Sequence, residues 1–138
     1  VMHVNFLKDL SNVKAIMKRH ADILRPKFEL FNEKMTAVFE GDHYVTWSRP
    51  RGGYFVSFDV KTCAKRVVEL SAEAGVKFTP AGSSFPYHID DLDENIRIAP
   101  SVPTLEEMDY AVDVLISAIK QARMELVLRK IYHYDARA

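Results

Sequence analysis

The stretch HYVTWSRPRGGYFVSFDV, residues 43–60, decides the fold of this chain. β-Branched and aromatic residues dominate 44–47 and 54–58, and residues of these types favour β-strands. Between them lies RPRGG, residues 49–53, a run of turn-forming residues. The pattern predicts a β-hairpin with a rather long loop. Because apolar residues follow one another in 54–56, we expect both faces of the second strand to be covered.

Upstream of the hairpin, residues 11–40 carry the pattern of an amphipathic helix. Apolar residues recur at alternating steps of four and three: Val13, Met17, Ala21, Leu24, Phe28, Phe31, Met35 and Val38. Ser11 is the expected N-cap, and Gly41 ends the segment. Pro26 cannot donate a backbone hydrogen bond to the preceding turn, so we expect a kink or a break near residues 24–25.

Downstream of the hairpin, the sequence predicts two further helices and two short strands. In chain order these are a helix at 63–74 begun by Thr62, a strand at 76–79, an irregular loop at 81–94, a strand at 95–99 and a helix from 105 to about 131. Thr104 is followed three residues later by Glu107, and this spacing is that of a capping box. The box marks the start of the last helix.

These elements predict the α+β class, in which helices cover a small, mostly antiparallel sheet made of the hairpin and the two short strands. With 138 residues the chain has the length of one domain. Within this single domain, 1–138, we expect a kinked helix at 11–40 that leads into the core, an α+β core at 43–122 and a helical extension at 123–138. Because it starts at a valine, we expect the chain to be a piece of a longer protein.

Composition argues against several classes of function. The chain has 19 basic and 19 acidic residues, so it lacks the positive charge that drives binding to nucleic-acid phosphates. No apolar run approaches the ~20 residues that a membrane span needs, and the N-terminus lacks the pattern of a secretory signal. The lone Cys63 belongs to no CxxC pattern, which fits a reducing cytoplasm. We therefore expect a cytoplasmic protein without a nucleic-acid or membrane partner.

Arg97 is the residue best suited to carry chemistry. It lies between Ile96 and Ile98 in a predicted strand, so its side chain points to the face opposite those two aliphatic side chains. A guanidinium in that position can bind a carboxylate through two parallel hydrogen bonds. The alternative is a structural arginine, either paired with a nearby acidic residue or simply solvated.

Other polar segments give weaker indications. Residues 52–53 and 81–85 could bring backbone close to a ligand, but neither has the spacing of a phosphate-binding loop. His88 with the acidic residues of 90–94 lacks the spacing of a calcium loop, and we interpret this segment as a solvated acidic loop. Cys63, at a helix start, is interpreted as a structural thiol. The residues by themselves therefore indicate no metal site and no complete catalytic site in this chain.

Six segments stand in a particular order and spacing. They are WSRPRGGYF (47–55), AGV (74–76), TPAG (79–82), FPY (85–87), NIRIAP (95–100) and LEE (105–107). Together they resemble the C-terminal small domain of fold-type-I, class I aminotransferases, which depend on pyridoxal phosphate. LRPKF (24–28) brings the chain closer to the branch of MocR-like, alanine–glyoxylate and aspartate aminotransferases. The resemblance covers residues 14–122.

The resemblance implies a role for Arg97 and for the loop before it. In such enzymes the strand arginine of the N-x-R segment binds the α-carboxylate of the amino-acid substrate, and Arg97 matches it. The loop of Gly82, Ser83, Ser84 and Phe85 is then expected near the substrate entrance, where it could close over the substrate.

The resemblance also implies what this sequence does not contain. In the family, the Schiff-base lysine and the residues that bind the cofactor belong to a large domain that precedes this segment. Pyridoxal 5'-phosphate is then expected on that domain, and the isolated chain is expected to be inactive. The parent enzyme is expected to be a homodimer that moves amino groups from aspartate or alanine to a 2-oxo acid. The alternative is an aminotransferase-like regulatory or interaction module without catalysis.

Overall fold

The structure, a computed structural model, describes residues 2–135, with side chains described up to residue 132. Its elements in chain order are α1 (Met2–Leu7), α2 (Leu10–Phe39), β1 (Val45–Trp47), β2 (Val56–Val60), α3 (Ala64–Glu73), a 3-10 turn (Pro86–His88), β3 (Asn95–Ile98) and α4 (Leu105–Asp135). In this part of the chain, four helices beside a three-stranded antiparallel sheet confirm the predicted α+β class. Val1 and the end of the predicted extension, 136–138, lie outside the described residues.

The predicted hairpin is confirmed, and its second strand is the centre of the sheet. β1 and β2 pair antiparallel, with Trp47 opposite Phe58. β3 pairs antiparallel with the other edge of β2, which places Ser57 directly opposite Arg97. Because successive residues of a strand point to opposite faces, this register sends Phe58 to one side of the sheet and Arg97 to the other.

One face of the sheet is covered by helices and forms the core. Phe58 is fully buried there, with its ring 6.1 Å from Phe31 of α2 in edge-to-face contact and 6.5 Å from the stacked ring of Trp47. The same core takes alternate strand residues and the inner residues of α2, α3 and α4: Val45, Val56, Val60, Ile96, Ile98, Met35, Phe39, Val67, Leu70, Met108, Val112, Leu115 and Ile119. The fold is therefore a sheet with its apolar side turned to a helical layer.

Helix α2 differs from its prediction at its start and at Pro26. Its N-cap is Asp9 and not Ser11, because the Asp9 carboxylate accepts a hydrogen bond from the backbone N–H of Asn12 at 2.8 Å. The predicted break does not occur, and the helix runs through Pro26. Pro26 is exposed, so water can satisfy the carbonyl group that the proline leaves without a donor. The fully buried residues of α2 all follow residue 30, so the apolar stripe is covered only in its second half.

The predicted strand at 76–79 is absent. The backbone N–H of Val76 donates to the carbonyl oxygen of Ser71 at 2.8 Å and so belongs to the end of α3. At the edge of β3, the N–H of Gly82 donates to the carbonyl oxygen of Asn95 at 2.9 Å. A loop thus occupies the edge position that an added strand would need, and 76–79 is an irregular connection.

The predicted capping box begins the last helix. The N–H of Thr104 donates to the Glu107 carboxylate at 2.7 Å, and the N–H of Glu107 donates to the Thr104 hydroxyl at 3.2 Å. From there α4 continues without interruption to Asp135, so the described part of the predicted extension belongs to this helix. Within residues 2–135, no helix combines the length and the apolar character needed to cross a membrane.

Candidate functional site

The face of the sheet opposite the core is largely polar and open. Phe55 and Ser57 are exposed on this face, and Asn95 and Arg97 lie beside them on β3. These residues alternate along the strands with the core residues. The expectation that both faces of β2 are covered is wrong, because the buried residues of the helices pack on the opposite face.

Arg97 is held on this open face without an ionic partner. Its guanidinium carbon lies 4.9 Å from the ring centroid of Phe55, which is cation–π distance. Its Nε atom is buried and has no hydrogen-bond partner in the described residues. No ion pair among those residues includes Arg97, whereas Arg66 pairs with three carboxylates. The alternative of an arginine paired inside the fold thus finds no partner in this part of the chain.

Asn95 lies on the same face as Arg97 and is bonded through its side chain to β2. Its side-chain N–H₂ group donates to the Ser57 hydroxyl at 2.9 Å and to the Asp59 carboxylate at 2.7 Å. The residue is 5% exposed, and its Oδ1 atom is a second buried polar atom without a partner in the described residues. The sequence indicated no binding role for Asn95 and predicted Phe55 as a core residue, whereas Phe55 is 49% exposed. The two-residue spacing between Asn95 and Arg97 was the available signal, because it puts both side chains on one face of a strand.

The loop that contains Gly82, Ser83, Ser84 and Phe85 is fastened to the edge of the sheet at one end. Gly82 is buried, and its N–H is bonded to the carbonyl of Asn95, two residues from Arg97. The backbone of Gly82 has φ +76°, and a Cβ atom added there would lie 3.1 Å from the side chain of Asp90. Beyond this anchor, Ser84 and Phe85 are exposed to solvent.

The acidic loop 90–94 is more ordered than the predicted solvated loop. The carboxylate of Asp90 accepts hydrogen bonds from the backbone N–H groups of Glu94 at 2.9 Å and Asn95 at 2.8 Å. Partial burial alone would raise the pKa of Asp90, but these amides hold it below its ordinary value. Asp93 accepts from the N–H of Lys65 at 2.9 Å and so caps α3. Both carboxylates thus hold backbone in place.

Cys63 lies just before α3 and is buried. Burial raises the pKa of its thiol to about 11, and the charge of Asp93 acts in the same direction. The group therefore stays protonated at neutral pH. A buried neutral thiol is a poor nucleophile, which agrees with the interpretation of Cys63 as structural.

Comparison with known proteins identifies the family of this chain. The sequence profile of the family described as aspartate amino-transferase matches residues 1–130. The chain belongs to this family. The predicted resemblance to aminotransferases is therefore confirmed, and the open face with Arg97 belongs to an aminotransferase-type fold. Within residues 2–132, the aminotransferase segment NIRIAP thus supplies an arginine without an ionic partner.

Three matches to known proteins and structures illustrate the relationship. An aspartate aminotransferase from Corynebacterium glutamicum is 39% identical over 124 residues, which are 89% of this chain and 29% of that protein. The crystal structure of an aspartate transaminase from the same species matches with a TM-score of 0.84 at 39% identity, over 89% of this chain and 29% of that one. An alpha-aminoadipate aminotransferase from Thermus thermophilus, complexed with N-(5'-phosphopyridoxyl)-L-leucine, shares the fold at 20% identity, with a TM-score of 0.71 over 87% of this chain and 30% of that one. The chain thus spans less than a third of the length of these relatives.

Proposed function

We propose that this chain is the C-terminal small domain of a pyridoxal-phosphate-dependent aminotransferase and that Arg97 binds the α-carboxylate of the amino-acid substrate. The observation that carries the proposal is the buried Nε–H of Arg97, which has no acceptor in the described residues. A buried donor without an acceptor is costly, so its presence in a strand of the open face favours a ligand as the partner.

The surroundings of Arg97 suit an anionic ligand of this kind. The ring of Phe55 lies against the guanidinium, and the buried Nε–H has no acceptor among the described residues. Ser57 lies directly opposite on β2 and adds a hydroxyl at the same level of the sheet. A carboxylate bound by two parallel hydrogen bonds would be fixed in orientation as well as position. Such positioning of the substrate is a large part of catalysis when the cofactor supplies the chemistry.

The cofactor itself does not fit on the residues of this chain. Pyridoxal phosphate is held by a lysine whose amine is activated by burial or by a neighbouring cation, and it supplies the electron sink of the reaction. All lysines of this sequence lie in the described part, and each of them is at least partly exposed. We therefore assign cofactor binding and the covalent step to a large domain outside this sequence. The isolated chain is accordingly expected to be inactive.

The remaining expectations belong to the same proposal. The parent enzyme acts on an amino acid and a 2-oxo acid, with aspartate or alanine as donor, and it works as a cytoplasmic homodimer. The loop with exposed Ser84 and Phe85 borders the substrate entrance, because Gly82 is bonded to the carbonyl of Asn95, which lies two residues along β3 from Arg97. Neither nucleic acid nor a membrane is a partner in this proposal.

The test is Arg97→Gln, with Arg97→Lys as the variant that keeps the charge, in the full-length protein. A charge-assisted pair contributes about 1.5–3 kcal/mol, so kcat/KM for aspartate should fall by about 10- to 100-fold in Arg97→Gln. Because Lys cannot form the bidentate pair, Arg97→Lys should recover only part of the loss. β-Alanine, which is aspartate without its α-carboxylate, should react equally slowly with both variants and the unchanged enzyme.

An equal loss for aspartate and β-alanine would contradict the role of Arg97, because the effect would then not depend on the α-carboxylate. The visible absorbance of the bound cofactor should be the same in all three proteins, which separates substrate binding from cofactor binding. A full-length protein that takes up no cofactor would support the non-catalytic module instead.

A further inference from the structure

A cavity lies on the helix side of the hairpin, away from Arg97. It opens between the N-terminal half of α2 and the loop that joins β1 to β2, and its volume is about 750 Å³. Its wall includes Val56, which points into the helix-covered side of the sheet, whereas Ser57 and Arg97 point to the other side. The cavity is therefore distinct from the proposed substrate-carboxylate site.

The floor of this cavity is apolar and aromatic. Leu24 and Phe28 of α2 line one side, and Trp47 with the exposed Tyr54 lines the other. The indole N–H of Trp47 is already used, since it donates to the side-chain oxygen of Asn32 at 2.9 Å. The floor thus presents aromatic and aliphatic surface to a ligand, because the indole N–H of Trp47 already has a hydrogen-bond partner.

The rim of the cavity carries an excess of positive charge. Among the described residues, three arginines line it, Arg25, Arg49 and Arg51, together with His20, and Glu29 is the one acidic residue of the lining. None of these arginines takes part in an ion pair of the described residues. The whole chain has as many acidic as basic residues, so this clustering is local. The guanidinium of Arg49 lies 5.8 Å from the Trp47 ring, which brings one cation directly above the aromatic floor.

We propose that this cleft binds a small organic carboxylate with an aromatic or branched apolar body. The apolar part would lie on Phe28 and Trp47, and the carboxylate would pair with the rim arginines. The volume falls within the range of about 300–1,000 Å³ that is usual for small-molecule sites, which combine an apolar lining with a few oriented polar groups. Binding in this cleft does not depend on the role of Arg97 or on a bound cofactor.

The single tryptophan of the chain makes the proposal directly measurable. Because Trp47 lines the cleft, its fluorescence reports on occupancy without contribution from another indole. We would titrate the 138-residue chain with 3-phenylpropionate, with its uncharged analogue 3-phenylpropanol, and with inorganic phosphate. The carboxylate should produce a saturable change and bind about tenfold more tightly than the alcohol, as a charge-assisted pair requires. Phosphate, which has no apolar body, should bind more weakly than the carboxylate.

Variants then locate the site. Arg51→Gln and Arg25→Gln should each weaken 3-phenylpropionate binding by about three- to tenfold and leave 3-phenylpropanol binding unchanged. Arg129→Gln, which removes an exposed arginine of α4 outside the cleft, is the matched control and should have no effect. Both cleft arginines are exposed and lack ion pairs within the described residues, so their variants should unfold at the same urea concentration as the parent chain.

Several binding results would overturn the proposal. These are equal affinity for the acid and the alcohol, phosphate binding as tight as that of the acid, and insensitivity of acid binding to both arginine variants. A folded chain whose Trp47 signal does not saturate with the acid would overturn it as well.

Discussion

The two faces of the sheet are built from alternate residues of the same strands, and they have different roles. On the helix side, Phe58 is fully buried and packs against Phe31 in the apolar core. On the open side, Arg97 and Asn95 keep buried polar atoms without partners in the described residues. The first face buries its side chains in apolar contact, and the second leaves polar atoms unsatisfied. Stability should therefore reside in the helix side, and the proposed binding of the substrate carboxylate in the open side.

The largest expected effect is the loss of Phe58. Phe58→Ala should lower the free energy of unfolding by about 3–5 kcal/mol, because it leaves a cavity between Phe31 and Trp47. Phe55→Ala, at a ring that is 49% exposed on the open face, should cost under about 1 kcal/mol. Urea titration of both variants measures the difference.

If Phe58→Ala leaves too little folded protein to measure, Phe58→Leu keeps the comparison with Phe55→Leu accessible at a smaller cost. Equal destabilisation at positions 58 and 55 would break the distinction between the two faces. It would mean that the open face carries as much of the folding free energy as the core.

A smaller effect is expected where the loop meets the open face. A Cβ atom added at Gly82, where φ is +76°, would lie 3.1 Å from the Cβ atom of Asp90. A Cβ atom added at Gly53, where φ is +87°, would have nothing within 4 Å. Both variants should lose about 1–2 kcal/mol from the left-handed backbone, and Gly82→Ala should lose about 1 kcal/mol more from crowding. Thermal melts compare the two. Identical losses would show that the loop yields at this contact and is not fastened there.

The smallest effect concerns acid. The pKa of Asp90 is held below its ordinary value in the folded chain, so the folded state binds fewer protons there than the unfolded state. Its contribution to stability is complete above the ordinary value of 3.8 and is lost as the pH falls through the lower folded pKa. Asp90→Asn should therefore be less stable than the parent chain at neutral pH, and this deficit should shrink in acid. Urea titrations at neutral pH and below about pH 4 measure it; a deficit that stays constant would contradict the role of the carboxylate.

Patterns over short stretches of sequence correctly predicted the elements that depend mainly on neighbouring residues. The β-branched and aromatic residues of 44–47 and 54–58, separated by turn residues, indicated the hairpin, and the spacing of Thr104 and Glu107 indicated the start of α4. The errors arose where a different residue or segment made the hydrogen bonds expected for the predicted one. Asp9 took the cap position expected for Ser11, and Val76, in the predicted strand 76–79, bonded to the end of α3 while the loop at Gly82 bonded to the edge of β3.

The candidate site was predictable only in its central residue. Arg97 stood out because a charged residue between two aliphatic residues in a strand must face away from them. Its lack of an ionic partner in the described residues and its contact with Phe55 depend on a register between strands far apart in sequence. The cleft beside Trp47 likewise needs α2 and the hairpin loop to meet, which no spacing within either segment indicates.

The sequence by itself determined the α+β class, the hairpin, the family resemblance and the identity of the candidate arginine. Those properties follow from periodicity and residue type over short stretches, where side-chain direction is fixed by the backbone. Tertiary structure alone decided which face stays open, which polar atoms are left without partners and where positive charge gathers around an apolar floor. These depend on contacts between distant segments, because burial and pairing are properties of neighbours in space and not along the chain.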